Sequence, residues 1–239
     1  MTLPPVKKRN EGALRPVPDC GYVLPVDKPA GWTSFDVVRW LRSRLRVRKI
    51  GHAGTLDPLA TGLLLCGVGR ATRALSCFMH MPKTYRGRFR LGAVTPSYDA
   101  ETPIAEEYPW EHIRLEDVRR AVGRFVGRIE QVPPPYSALK RNGTPAYRRA
   151  RRGEVLELEP RPVEVYAFEI LDMEGPEVSF EVRCGKGTYV RSLVHDLGRA
   201  LGSGAYLLEL RRTAIGPYRV EEAWTIPDLE RALRPGEEV

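Results

Sequence analysis

The chain has 239 residues, 42% of them hydrophobic and 28% charged, and its 38 Lys and Arg against 30 Asp and Glu give a net charge of +8. That suits one globular domain with a sizeable core, and the basic balance favours a polyanionic partner wherever the cations cluster. No repeat or low-complexity segment appears, no apolar run approaches membrane-span length, and Lys7, Lys8 and Arg9 precede no secretory apolar stretch. The four cysteines are scattered without a CxxC pair, as expected for buried thiols in a reducing cytoplasm.

Residues 1–19, rich in proline and charge, are expected to form a flexible tail. Gly21–Gly31 reads as a strand ending in a turn. Thr33 and Asp36 have the spacing of a capping box, and the helix after it is expected to bury Phe35, Val38, Leu41 and Leu45. From Arg39 to Lys49 there are six cations and no anion. They suit a solvated helix end, or phosphate contacts in which Lys49 takes part.

Lys49–Gly62 then packs three glycines, His52 and a single carboxylate, Asp57, into fourteen residues. The glycines permit turns and close backbone approach, and Pro58 restricts Asp57 to extended geometry. The residues alone allow either a cap of the Pro58-Leu59-Ala60 turn or a carboxylate presented for chemistry. Leu63–Val68 is expected to be a buried strand, and residues 69–79 a helix. Lys83–Gly92 alternates, with Tyr85, Gly87, Phe89 and Leu91 inward and Thr84, Arg86, Arg88 and Arg90 outward. Gly87 should leave space beside Tyr85.

Residues 93–110 read as a loop, and Leu115, Val118, Val122 and Phe125 mark a helix. The prolines after Gln131 exclude a helix or central strand. Leu139–Arg152 carries six cations (Lys140, Arg141, Arg148, Arg149, Arg151, Arg152) and no acid, with Tyr136 and Tyr147 interleaved. That mixture suits phosphate contact with base stacking, or a solvated loop. Val163–Leu171 and Glu177–Cys184 read as strands. The next helix buries Val190, Leu193, Val194, Leu197 and Leu201 and ends at Gly202. Tyr189 and Arg191 stand at its N-terminus, where a cation opposes the dipole and is better tolerated beside a carboxylate. Tyr206–Arg212 is a last strand.

Gly51-His-Ala-Gly-Thr-Leu-Asp-Pro-Leu-Ala-Thr-Gly62 resembles the catalytic motif of the TruB-type tRNA pseudouridine synthases. So do Asp27-Lys28-Pro29-Ala30-Gly31, Lys83-Thr84-Tyr85-Arg86, Thr95-Pro-Ser97-Tyr-Asp99, Ser137-Ala138-Leu139-Lys140, Lys186-Gly-Thr-Tyr189-Val-Arg191 and Leu208-Glu-Leu210-Arg-Arg-Thr213. Two positions depart from the family pattern: Ser97 replaces a threonine, and Thr102 replaces a glycine. The resemblance implies that one uridine in the tRNA T loop is isomerised without cofactor or metal. It implies that Asp57 is the catalytic carboxylate, that Arg191 pairs with it, and that Tyr85 stacks on the base. His52, Tyr189 and Leu210 would line the site. The basic stretch, with Lys140, Arg141, Tyr147, Arg148 and Arg151, would be an RNA-gripping insertion. Whether Asp57 attacks sugar or base, or takes a proton, stays open.

The expected fold is α+β, a mixed and mostly antiparallel central sheet flanked by helices. The catalytic domain is placed at 20–220 with the insertion at 133–153. Residues 221–239 form a short extension, too short for the PUA domain many family members carry. A cytoplasmic monomer acting on the T arm, with no guide RNA and no membrane, completes the expectation. The rivals are a tRNA-folding chaperone without turnover and a pseudouridine synthase acting on another RNA.

Overall fold

The computed structural model describes residues 3–9, 11, 13–137, 140–141, 144–145, 149, 152, 154 and 158–233. In chain order the elements begin β1 (Tyr22–Lys28), α1 (Ser34–Leu45), β2 (Ile50–His52), β3 (Thr61–Val68), a 3-10 turn (Gly69–Ala74), α2 (Leu75–His80) and β4 (Lys83–Leu91). There follow β5 (Ala93–Val94), β6 (Glu106–Glu107), α3 (Leu115–Val122), β7 (Gly127–Gln131), β8 (Lys140–Arg141), β9 (Thr144–Pro145) and β10 (Arg161–Glu174). The chain closes with β11 (Glu177–Cys184), α4 (Val190–Ala200), β12 (Ala205–Ile215), β13 (Tyr218–Arg219) and α5 (Ile226–Ala232). The class is α+β, and the strand pairing is mixed and mostly antiparallel. Two compact units are present, Met1–Tyr85 with Arg211–Val239, and Arg86–Leu210.

In the first unit β3 pairs antiparallel with β1 and β2, and parallel with β12 through Thr61↔Arg211 and Gly62↔Arg212. β3 is apolar along its length because both of its faces are covered. Leu64, Cys66 and Val68 pack with Val37, Val38, Leu41 and Leu45 of α1, whereas Leu63 and Leu65 join Ala71, Phe78 and Ile215. The capping box at Thr33 and Asp36 is formed. The buried stripe of α1 runs through Val37 instead of Phe35, which is 57% exposed with Arg42 over its ring. The helix expected over 69–79 is split into the 3-10 turn and α2.

Both chain ends follow β1. Val6 bridges Val23, the Tyr22 hydroxyl donates to Leu14 O, and the amides of Asp27 and Trp224 bond Trp224 O and Pro25 O. The edge of β1 not used by β3 is thereby paired over part of its length, which removes a template for strand association. Leu14 and Leu229 are buried in this arrangement.

In the second unit β4, β11, β10 and β7 are neighbours in that order. Phe180 packs against Phe89 and Phe168 at 5.8 and 5.6 Å between ring centroids. The room expected at Gly87 is filled, since a Cβ there would meet Glu209 O at 2.6 Å and the Phe180 ring at 2.8 Å. Two of the outward arginines are neutralised across strands, Arg86 by Glu181 at 2.6 Å and Arg88 by Glu177 and Glu209 at 3.0 Å. Residues 93–110 are less irregular than expected, because β5 and β6 pair within them. Cys66 and Cys184 are buried thiols, and Cys20 and Cys77 are exposed ones. Among the described residues no helix is long and apolar enough to cross a membrane.

Candidate active site

The Asp57 loop is clamped from two sides within the first unit. Lys28, fully buried at the end of β1, donates its ammonium to the carbonyls of Trp32 (2.5 Å), Pro29 (3.0 Å) and Pro58 (3.4 Å). Ser34, the first residue of α1, bonds both backbone groups of Leu56: its Oγ accepts from Leu56 N at 2.8 Å and donates to Leu56 O at 3.2 Å. The Gly31 amide adds a bond to Pro58 O at 2.9 Å. Backbone groups on both flanks of Asp57 are therefore fixed to β1 and α1, and the half-buried carboxylate stands on a loop with little freedom. Ala60 N also bonds Asp57 O at 3.1 Å, so the Pro58-Leu59-Ala60 turn forms through Asp57's backbone.

Behind the same loop lies Arg212 of β12, 1% exposed. Its Nε donates to Leu63 O at 2.7 Å and its Nη2 to Gly54 O at 3.1 Å. The guanidinium carbon sits over the Tyr85 ring, 6.0 Å from its centroid. Tyr85 is half-buried near the start of β4, which is pinned by Lys83 through its ammonium to the Met79 and Met81 carbonyls and by Thr213 Oγ1 to Thr84 O. His52 ends β2 opposite Cys66. Burial, and then the Arg212 charge, hold its imidazole below the ordinary histidine value, against a smaller contribution from the Gly54 backbone. The first unit thus brings Asp57, His52 and Tyr85 onto elements tied together by Lys28, Ser34 and Arg212.

In the second unit Arg191 is the second residue of α4 and is 4% exposed. Its Nη1 donates to Ser97 O at 2.8 Å and its Nη2 to Tyr136 O at 2.9 Å. Its Nε lies 3.5 Å from the Asp99 carboxylate. Asp99 is itself fixed by Ser97 Oγ at 2.5 Å and by the Glu101 amide at 3.0 Å. The carboxylate that makes a cation tolerable at this helix end is, within this unit, Asp99. Thr102, in the place of the family's glycine, joins the cluster by bonding Ser97 N and Ser97 Oγ. Gln131 clamps Tyr189, accepting from its amide at 2.8 Å and donating to its carbonyl at 3.0 Å. Tyr189 is the helix N-cap residue, and Leu210 is buried on β12.

Of the expected RNA contacts, Lys49 is exposed, as are Arg39, Arg44, Arg46 and Arg48. Lys140 and Arg141 form β8, which pairs with β9. Tyr147, Arg148 and Arg151 lie outside the described residues. Among the described residues no group of His, Cys, Asp or Glu could hold a metal ion. Sequence reasoning assigned no role to Lys28, Asp99 or Arg212. Each lies inside a motif that it had marked, and Arg212 carries a further signal: strand alternation puts it on the face of Leu210 and Ala214, where a charge needs a reason.

The protein is of the α+β class, and its first unit presents a half-buried carboxylate on a clamped loop, a residue type suited to nucleophilic or general-base chemistry. The model of the TruB family pseudouridylate synthase N-terminal domain matches residues 42–190, and that of the tRNA pseudouridylate synthase B C-terminal domain matches 191–238. A tRNA pseudouridine synthase B of Flavobacterium johnsoniae is 46% identical, covering 90% of this chain and 96% of the relative. One of Thermobifida fusca is 47% identical, covering 87% and 73%. Among solved structures, the Cbf5-Nop10-Gar1 complex contains a chain 31% identical with a TM-score of 0.69, covering 94% of this chain and 61% of that one. The archaeal box H/ACA sRNP Nop10-Cbf5 complex gives 32%, a TM-score of 0.65, and 88% and 53%. This chain therefore spans a little over half the length of those solved chains. The chain belongs to the TruB family of pseudouridylate synthases.

Proposed function

We propose that this protein converts one uridine in the T loop of tRNA to pseudouridine, acting alone and without a guide RNA. The observation that carries the reading is the clamped Asp57 loop, a single carboxylate held by Lys28 and Ser34 in a segment that matches the family's catalytic motif. The bond between the ribose carbon C1′ and N1 breaks, the base turns, C1′ joins C5, N1 gains a proton and the C5 hydrogen leaves to solvent. The uridine must first leave its stack, which costs a few kcal/mol and less in a loop than in a duplex. The Tyr85 ring offers the flipped base a face, and His52 braces the space that the base leaves. Asp57 works as the anion, whether as nucleophile or base, and Arg191 is the cation that favours that anion. Tyr189 and Leu210 border the base. Lys49 and the basic stretch containing Lys140, Arg141, Tyr147, Arg148 and Arg151 take the tRNA backbone. The protein works as a monomer in the cytoplasm, through a catalytic domain at 20–220.

The test is purified protein, chelator and unmodified tRNA transcript tritiated at uridine C5. Release from one T-loop uridine supports the reading. Release only from another RNA, or only after a guide is added, contradicts the substrate. Tight tRNA binding without release returns the chaperone alternative.

A further inference from the structure

We propose that Arg212 is a positioning residue for the isomerisation: its buried guanidinium backs the Tyr85 ring and ties the Gly54 turn of the Asp57 loop to β3, fixing ring and loop in one arrangement. The inference rests on the role proposed for Tyr85.

Arg212 is among the largest fully buried side chains, yet no carboxylate among the described residues forms an ion pair with it. Its hydrogen bonds go to two carbonyls, Leu63 O on β3 and Gly54 O in the loop. Burying a guanidinium on such terms is costly, and an apolar side chain of similar volume serves a core at least as well. The charge is therefore kept for what it touches. One contact is the Tyr85 ring, at a distance where a cation is attracted to the aromatic face. With Arg212 on one face, the opposite face is the one a base would use. The other contact is the loop: Gly54, at φ +99, turns its carbonyl toward the fork and leaves a Cβ position 3.7 Å from Nη1.

The local sequence is built to admit this arginine. Gly62, at φ +100, pairs directly with Arg212, and a Cβ there would lie 2.3 Å from Arg212 O and 2.8 Å from its N. Glycine at 62 is what lets β12 come close enough for the side chain to reach beneath the loop. Arg212 is also the charged group whose field acts on His52, so that imidazole reports its presence.

The experiment compares Arg212→Met, Arg212→Lys and Tyr85→Ala by thermal melting, tRNA binding and single-turnover rate per folded protein. His52 is titrated by NMR, which is tractable with four histidines in the chain. Arg212→Met is expected to bind tRNA within about threefold of wild type, lose at least about thirtyfold in rate, and let the His52 imidazole titrate closer to its ordinary value. Arg212→Lys, which keeps a charge and loses the fork, is expected to fall between. Should Arg212→Met not fold, the lysine variant carries the test, with a rate loss of about tenfold at unchanged binding expected. A folded Arg212 variant with a rate near wild type, beside a Tyr85→Ala that has lost turnover, overturns this inference alone. A Tyr85→Ala that keeps its turnover overturns the site reading, and this inference with it.

Discussion

Asp99 holds Arg191. Their charged groups lie 3.5 Å apart, both nearly excluded from solvent, with Ser97 bonded to each: its hydroxyl to Asp99, its carbonyl to Arg191. A guanidinium hydrogen-bonded through both Nη atoms, with a carboxylate facing its Nε, is restricted in orientation. An arginine meant to favour an anion in a reaction needs that fixity more than it needs charge alone. Asp99→Ala would take from the buried Arg191 the carboxylate that this unit sets beside it. The expected loss is about 3 kcal/mol of stability in urea unfolding, together with a slower single-turnover step at unchanged tRNA affinity. A rate equal to wild type in the folded variant would show that Asp99 serves the fold alone.

Ser34 tests the other clamp. Ser34→Ala removes two hydrogen bonds to Leu56 while leaving Lys28 in place. About 1–2 kcal/mol of stability should go, since the Leu56 backbone groups are buried. The rate should fall about tenfold through a looser Asp57 loop, with tRNA binding retained. A stability loss with an unchanged rate would mean that the loop keeps its shape without α1.

Gly62 is a steric prediction. Gly62→Ala places a Cβ in contact with the Arg212 backbone at a positive φ, so a loss of about 2 kcal/mol or more is expected in thermal unfolding. A melting temperature equal to wild type would contradict the pairing of Gly62 with Arg212.

The second unit carries an acid-sensitive histidine. His195 stacks on Tyr98 at 3.8 Å and 7°, and burial, followed by the neighbouring Arg199 charge, lowers its pKa to about 4. Its unfolded value is near 6.5. Between the two, the unfolded chain binds a proton that the folded chain refuses, so stability should fall as pH drops from about 6.5 to about 4, then level. Asp196, whose carboxyl is raised by burial, acts in the opposite sense at the acid end. His195→Gln isolates the histidine: its melting temperature should vary less across that window. An identical slope in the variant would contradict the assignment.

How much of this was legible beforehand depends on the range of the interaction. The capping box was readable because Thr33 and Asp36 are three residues apart, and β3 because its apolar run is continuous. The buried face of α1 keeps the expected Val38, Leu41 and Leu45 but takes Val37 in place of Phe35, two apolar residues that the sequence does not rank. Only the packing of β1 and β3 shows which of them is covered. Gly87 shows the same limit, since the missing Cβ is visible in sequence and the Phe180 ring that fills it is not. The resemblance pointed to Asp57, Tyr85 and Arg191. The groups that fix them, Lys28, Ser34, Asp99 and Arg212, act through backbone carbonyls, amides and partners distant in sequence. Residue types alone do not announce such roles, although a charge at an inward strand position, as at Arg212, is a signal worth reading.

The central claim is that Asp57 is the group on which the isomerisation depends. The most direct measurement is single-turnover tritium release from C5-labelled tRNA by wild type and Asp57→Asn, with tRNA affinity determined for both. The variant is expected to bind tRNA as wild type does and to release no tritium above background. Release at a rate near wild type would contradict the account.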